Sequence, residues 1–166
     1  ATMQLLDKYW PLSSNSAEQF PMLNSYGGMQ VSGISMSSST WNPASTGDVH
    51  GKPYATAMAD VMSAIAIHAS APELRWRPLY HNLGDEPSEE TSLRVLEVAA
   101  AIKSGGVSPA PLTSVFTSIE SNTSKKIEFA DNIDLIILNH HTESAIIALK
   151  ERNPNVKWML YNQASR

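Results

Sequence analysis

The run Leu135-Ile136-Ile137-Leu138 is apolar at every position, and Val156 to Leu160, apolar except at Lys157, follows it after an intervening helical pattern. A strand with one wet face alternates apolar and polar residues. A strand that is apolar on both faces must be covered on both, which is the condition of parallel strands packed under helices. This feature confines the chain to the α/β class and makes an antiparallel sandwich or a helical bundle poor solutions for it.

The rest of the chain fits that frame. Residues 1–27 mix apolar and polar types, are cut by Pro11 and Pro21, and read as an irregular N-terminal segment; the parallel α/β domain is expected over 28–166. From Gly28 to Met36 apolar and small polar residues alternate, the period of a strand. Residues 37–51, with Trp41, Pro43 and Gly47, read as a long loop. Met58, Val61, Met62, Ile65 and Ala69 recur at helical spacing, which predicts a helix over 53–70 with Pro53 in its first turn. A strand over 77–83 follows. Ser88 then caps a second helix, with Glu89 and Glu90 at its positive end, Leu93, Leu96 and Ala100 on its buried side, and Gly105-Gly106 as its stop. A strand over 112–119, a short helix over 125–130, a strand over 133–139, a helix over 142–152 carrying Ile146, Ile147 and Leu149, and a strand over 156–161 complete the series.

Strands alternating with helices in this order build either part of an eight-stranded (β/α)8 TIM barrel or a doubly wound open sheet. The barrel is the leading expectation. A complete one needs about 200 to 250 residues, so the 166 residues here are expected to form an incomplete barrel, an excerpt of a longer polypeptide or a unit completed by other chains or segments. A net charge of −4 argues against a surface built for nucleic acid. No apolar run has membrane-spanning length, and with no Cys there is neither a disulfide nor a thiolate metal site.

In both architectures ligands meet the carboxyl ends of the strands. Those ends carry Ser35 to Ser39, Asn82 with Asp85 and Glu86, Thr117 with Ser118, Asn139 with His140 and His141, and Tyr161 with Asn162. Adjacent carboxyls at a strand mouth repel one another, and partial burial there is expected to hold one of them protonated, as an acid catalyst requires. The same residues also read as the acidic start of a helix.

The segment Tyr80-His81-Asn82-Leu83-Gly84-Asp85-Glu86-Pro87, the strand ending at Thr117, the run from Asp134 to Asn139, and Trp158-Met159-Leu160-Tyr161-Asn162 resemble the middle and later strands of barrel glycoside hydrolases. The likeness is to the family 123 β-N-acetylgalactosaminidases and the related glycosidase-like domain family 4091, over roughly residues 76–166. It implies a substrate-assisted retaining mechanism on N-acetylated amino-sugar glycans. Glu86 would be the acid/base, Asp85 would steady the 2-acetamido group that serves as nucleophile, and Tyr161 would hydrogen-bond the acetamido oxygen. Such chemistry dispenses with a second nucleophilic carboxylate. That suits a chain in which Glu120 lies past its strand and Glu143 and Glu151 lie on a helix. The final barrel strand and the aromatic residues that usually follow strand seven have no counterpart here.

Asn82, Asn139, His140 and Asn162 join Tyr161 as candidate substrate-binding residues, and Trp41 is a candidate for stacking on a sugar face, although a loop Trp also serves as a packing anchor. The expected partner is a carbohydrate, without nucleic acid, membrane, metal or cofactor. A glycan substrate would suit a secreted or cell-surface location. Two other readings stand beside the hydrolase. One is a carbohydrate-binding or assembly protein on the same scaffold without turnover; the other is a metal-dependent hydrolase using His81, His140 and Asp85, against which adjacent histidines such as His140-His141 do not easily face one ion. Asn122-Thr123-Ser124 matches the acceptor pattern for N-glycosylation. Neither a nucleophile elbow nor a dinucleotide fingerprint occurs.

Overall fold

The computed structural model describes residues 22–24, 48–49, 52–71 and 80–160. In chain order the elements are strands β1 (Met22–Asn24), β2 (Asp48–Val49) and β3 (Lys52–Pro53), helix α1 (Tyr54–Ala69), strand β4 (Tyr80–Asp85), helix α2 (Glu89–Ser104) and strand β5 (Leu112–Ile119). A 3-10 turn (Lys125–Glu128) then runs into the single-turn helix α3 (Phe129–Asn132), followed by β6 (Leu135–His141), α4 (Glu143–Arg152) and β7 (Trp158–Leu160).

Five strands form one sheet in the order β1-β4-β5-β6-β7, every pair parallel. The α/β class and the parallel sheet are as the doubly apolar runs require. The spatial order follows the chain order. Strands added in one direction by crossovers of one hand place their helices on one face, and the apolar core agrees. Met58 and Met62 of α1, Val95, Val98 and Ala99 of α2, Phe129 of α3 and Ala145 and Leu149 of α4 share one cluster with Leu83, Val115, Ile136 and Leu138 of the strands. The opposite face carries Tyr80, Leu135 and Ile137, with Leu112 and Phe116 packed against them. This arrangement is common to a barrel wall and to one half of a doubly wound sheet.

The local elements follow from local chemistry. Ser88 Oγ accepts the Thr91 amide at the start of α2, and Thr142 Oγ1 accepts the Ala145 amide at the start of α4; each side chain satisfies an amide that the first helical turn leaves without a partner. Beyond the α2 C-cap at Gly105, Gly106 adopts φ +62°, the left-handed conformation in which a residue without Cβ carries no steric penalty. At the amino ends of β5 and β6, Asp134 Oδ2 accepts from the Thr113 amide (2.8 Å) and the Thr113 hydroxyl (2.9 Å), fastening the two strands together. The Arg152 guanidinium meets both carboxylate oxygens of Asp131 at 2.6 and 2.8 Å, tying α4 to α3.

Several expectations are corrected. The segment expected to be irregular contains β1, which pairs in parallel with Tyr80 to Asn82; three residues are too few to show a period in sequence. The loop expected over 37–51 includes β2, which pairs antiparallel with β3. Helix α1 begins at Tyr54, with Pro53 at the cap position. Strand β4 extends to Asp85 and β6 to His141, each past its expected end. On α2, Leu93 and Ala100 are exposed and the buried line is Val95, Leu96, Val98, Ala99 and Ile102; on α4, Ile147 is exposed. The strand expected over 28–36 lies outside the described residues.

Candidate functional site

The carboxyl end of β4 owes its shape to a bulge. Asn82 pairs with Ser114 and Asp85 with Phe116, so three residue steps on β4 oppose two on β5. Leu83 packs in the helix-side core, and a Cβ on Gly84 would lie 3.1 Å from a Val95 methyl and 3.5 Å from Val115. Two successive residues thus face the helices. Asp85 comes into register with Phe116, on the side of the sheet away from the helices, instead of continuing the alternation. A bulge re-aims a side chain in this way and is over-represented beside active sites. Buried Asn82 serves the distortion: its amide nitrogen, oriented to satisfy both acceptors, donates to Ser114 O at 3.2 Å and Gly84 O at 3.1 Å.

Glu86 follows with φ +47°, the left-handed region that a residue with a Cβ seldom occupies. Its amide donates to Phe116 O at 2.9 Å, and the Ser118 hydroxyl donates to its Oε2 at 2.9 Å. Backbone and carboxylate are therefore both anchored to β5. Asp85 and Glu86 are exposed, which corrects the expectation of a partly buried pair: the bulge and the turn carry them clear of the core instead of into it.

Beside Glu86 lies an open hollow of about 290 Å³ lined by Glu89, Ser118, Glu120, Ser121, Ser124 and Lys126. Glu89, in the first turn of α2, accepts from the Ser124 hydroxyl and from the Lys125 amide, joining the loop after β5 to the loop after β4. The Lys126 ammonium donates to Ser118 O at 3.0 Å. Ser118 thus belongs both to the Glu86 carboxylate and to the wall of the hollow. Sequence reasoning placed Ser118 at a strand end but did not single it out, gave Glu89 only a part in starting a helix and Ser124 only a place in a glycosylation pattern, and passed over Lys126; their convergence depends on α2 folding back over the 3-10 turn.

Asn139 and His140 stand at the end of β6, two strands from β4 and hence about 10 Å away at the usual strand spacing. Asn139 Oδ1 is buried and has no hydrogen-bond partner among the described residues. His140 is exposed, and the His141 ring lies 6.4 Å from that of Trp158, tilted by 46°. The structure thus gathers Asp85, Glu86 and Ser118 at one edge with Asn139 and His140 further along it. Tyr161, Asn162 and Trp41 lie outside the described residues.

His81 is near the start of β4 and buried, and desolvation lowers its pKa to about 4, so the imidazole is neutral. It is separated along β4 from exposed Asp85 at the other end. Among the described residues no group of three His, Asp or Glu side chains is placed to hold a metal ion, and no helix is long and apolar enough to cross a membrane. No protein-family model, curated protein or solved structure matches the chain.

Proposed function

We propose that the carboxyl edge of the sheet is the site of a glycoside hydrolase acting on N-acetylated amino-sugar glycans with retention of configuration. One observation carries the reading: Glu86 is held in the left-handed region at a parallel-strand mouth, with its carboxylate bonded to Ser118. Such a backbone costs about 1 to 3 kcal/mol and concentrates at functional sites.

In this mechanism protonated Glu86 gives its proton to the glycosidic oxygen while the acetamido carbonyl oxygen of the same sugar attacks C1. The bond from C1 to the leaving oxygen breaks, giving a free alcohol, an oxazolinium-type ring and a Glu86 carboxylate. Asp85, beside it, offsets the positive charge developing on the acetamido nitrogen. Water then attacks C1 and loses its proton to Glu86, the ring opens, and the acid is regenerated. The two inversions at C1 leave the configuration unchanged.

A positioned general acid contributes about 10²- to 10⁴-fold, so Glu86→Gln should lower turnover of aryl N-acetylhexosaminides by at least about a hundredfold. An unchanged rate removes the proposal. The exposure of both carboxylates favours a second reading, a sugar-binding surface without turnover. Glycan binding that survives Glu86→Gln, with no hydrolysis by the unaltered protein, selects it.

A further inference from the structure

We propose that the hollow beside Glu86 seats the sugar unit on the leaving side of the scissile bond, and that it takes a neutral ring and rejects an acidic one. The proposal rests on the hydrolase reading and adds to it the chemical class of the second sugar. Position is the first argument. Ser118 donates its hydroxyl to Glu86 Oε2 and also lines the hollow, so a group there lies against the side chain that holds the carboxyl proposed to protonate the departing oxygen. Size is the second. About 290 Å³ is at the low end of the roughly 300 to 1,000 Å³ typical of small-molecule sites, room for one ring and not for an oligosaccharide.

The third argument is the lining. Hydroxyls of Ser118, Ser121 and Ser124 stand among the Glu89 and Glu120 carboxylates and the Lys126 ammonium, a mixture of donors and acceptors with no aromatic or aliphatic residue in the lining among the described residues. Glu120 makes no hydrogen bond or ion pair among the described residues. The Lys126 ammonium has three N–H groups, one of which reaches Ser118 O. Capacity to bond ring hydroxyls is therefore left over in both directions. Charge decides the class. Two carboxylates, of Glu89 and Glu120, face the one ammonium of Lys126, so an anionic sugar meets net repulsion. The bonds from Glu89 to Ser124 and to the Lys125 amide fix the floor of the hollow before any ligand arrives.

The test is a titration of the folded protein with N-acetylglucosamine and, separately, with glucuronate, followed by backbone amide NMR. N-acetylglucosamine should move the signals of Ser118, Glu120, Ser124 and Lys126, while glucuronate at equal concentration should leave them in place. Replacing the exposed Glu120 by Gln removes one repelling charge and should narrow the ratio of the two affinities by about tenfold. Equal binding of the two sugars, movement confined to other residues, or an unchanged ratio in Glu120→Gln each overturns the proposal. Turnover of aryl glycosides without these shifts sinks the hollow alone. Shifts without turnover retain a neutral-sugar site but sink its leaving-group role together with the hydrolase reading.

Discussion

Lowering the pH from 7.5 to 5.0 should destabilise the fold through His81. The imidazole is about 1 % exposed at the start of β4 and its pKa is lowered to about 4 because burial penalises the charged form. In the unfolded chain the same group titrates near 6.5. Between those values the unfolded state binds a proton that the folded state refuses. The contribution of neutral His81 is therefore complete above pH 6.5 and is lost as the pH falls toward 4. Integrating the difference in proton uptake from pH 7.5 to 5.0 gives about 2 kcal/mol, rising toward about 3 kcal/mol below pH 4. Carboxylates titrate in the lower part of this window too, so the quantity to measure is a difference. Urea unfolding of the parent and of His81→Gln at half-unit pH steps isolates it. The variant is expected to be less stable at pH 7.5, since it disturbs a packed site, but its stability should fall by about 2 kcal/mol less between pH 7.5 and 5.0. Parallel curves for the two proteins, or an NMR titration of His81 centred near 6.5, would refute the argument.

Glu86→Gly should raise stability by about 1 kcal/mol, less the value of the Ser118 bond, by relieving the left-handed backbone, while removing the proposed acid; thermal unfolding read beside the aryl glycoside assay checks both halves. Asp134→Ala leaves the amide and hydroxyl of buried Thr113 without their carboxylate and should cost about 2 to 3 kcal/mol in urea unfolding, a cost that Asp134→Asn should partly recover. Gly84→Val drives methyl groups into Val95 and Val115 and should cost about 1 to 3 kcal/mol. Because α2 follows the site directly, that substitution should also depress the proposed glycoside turnover in protein that remains folded.

The course of the chain from α1 onward was legible because its signals are local or periodic. The run Leu135 to Leu138 announces a strand covered on both sides; Val156 to Leu160 announces the last strand but not its cover, since Met159 and Leu160 are exposed on it; Ser88 and Gly105-Gly106 mark where α2 begins and ends; Leu112 and Ile119 bound a strand whose limits the structure reproduces. The exact buried stripe was less legible. Leu93 and Ile147 have the right chemistry for a core, yet which side of a helix meets the sheet is set by its crossover onto the neighbouring strand, and both face outward.

What sequence determined without help was the class of the fold, its run of elements and the pairing of Asp85 with Glu86 at a strand mouth. These follow from hydrophobic period and from residues adjacent in the chain. Only the tertiary structure decided that Gly84 lets α2 approach closely, that a bulge brings Asp85 into register with Phe116, and that Glu86 leans on Ser118, 32 residues further along. It also decided that Glu89 and Lys126 border the same hollow. A bulge appears in the register of two strands and a hollow in the convergence of two loops, and both are fixed by contacts between residues far apart in the chain.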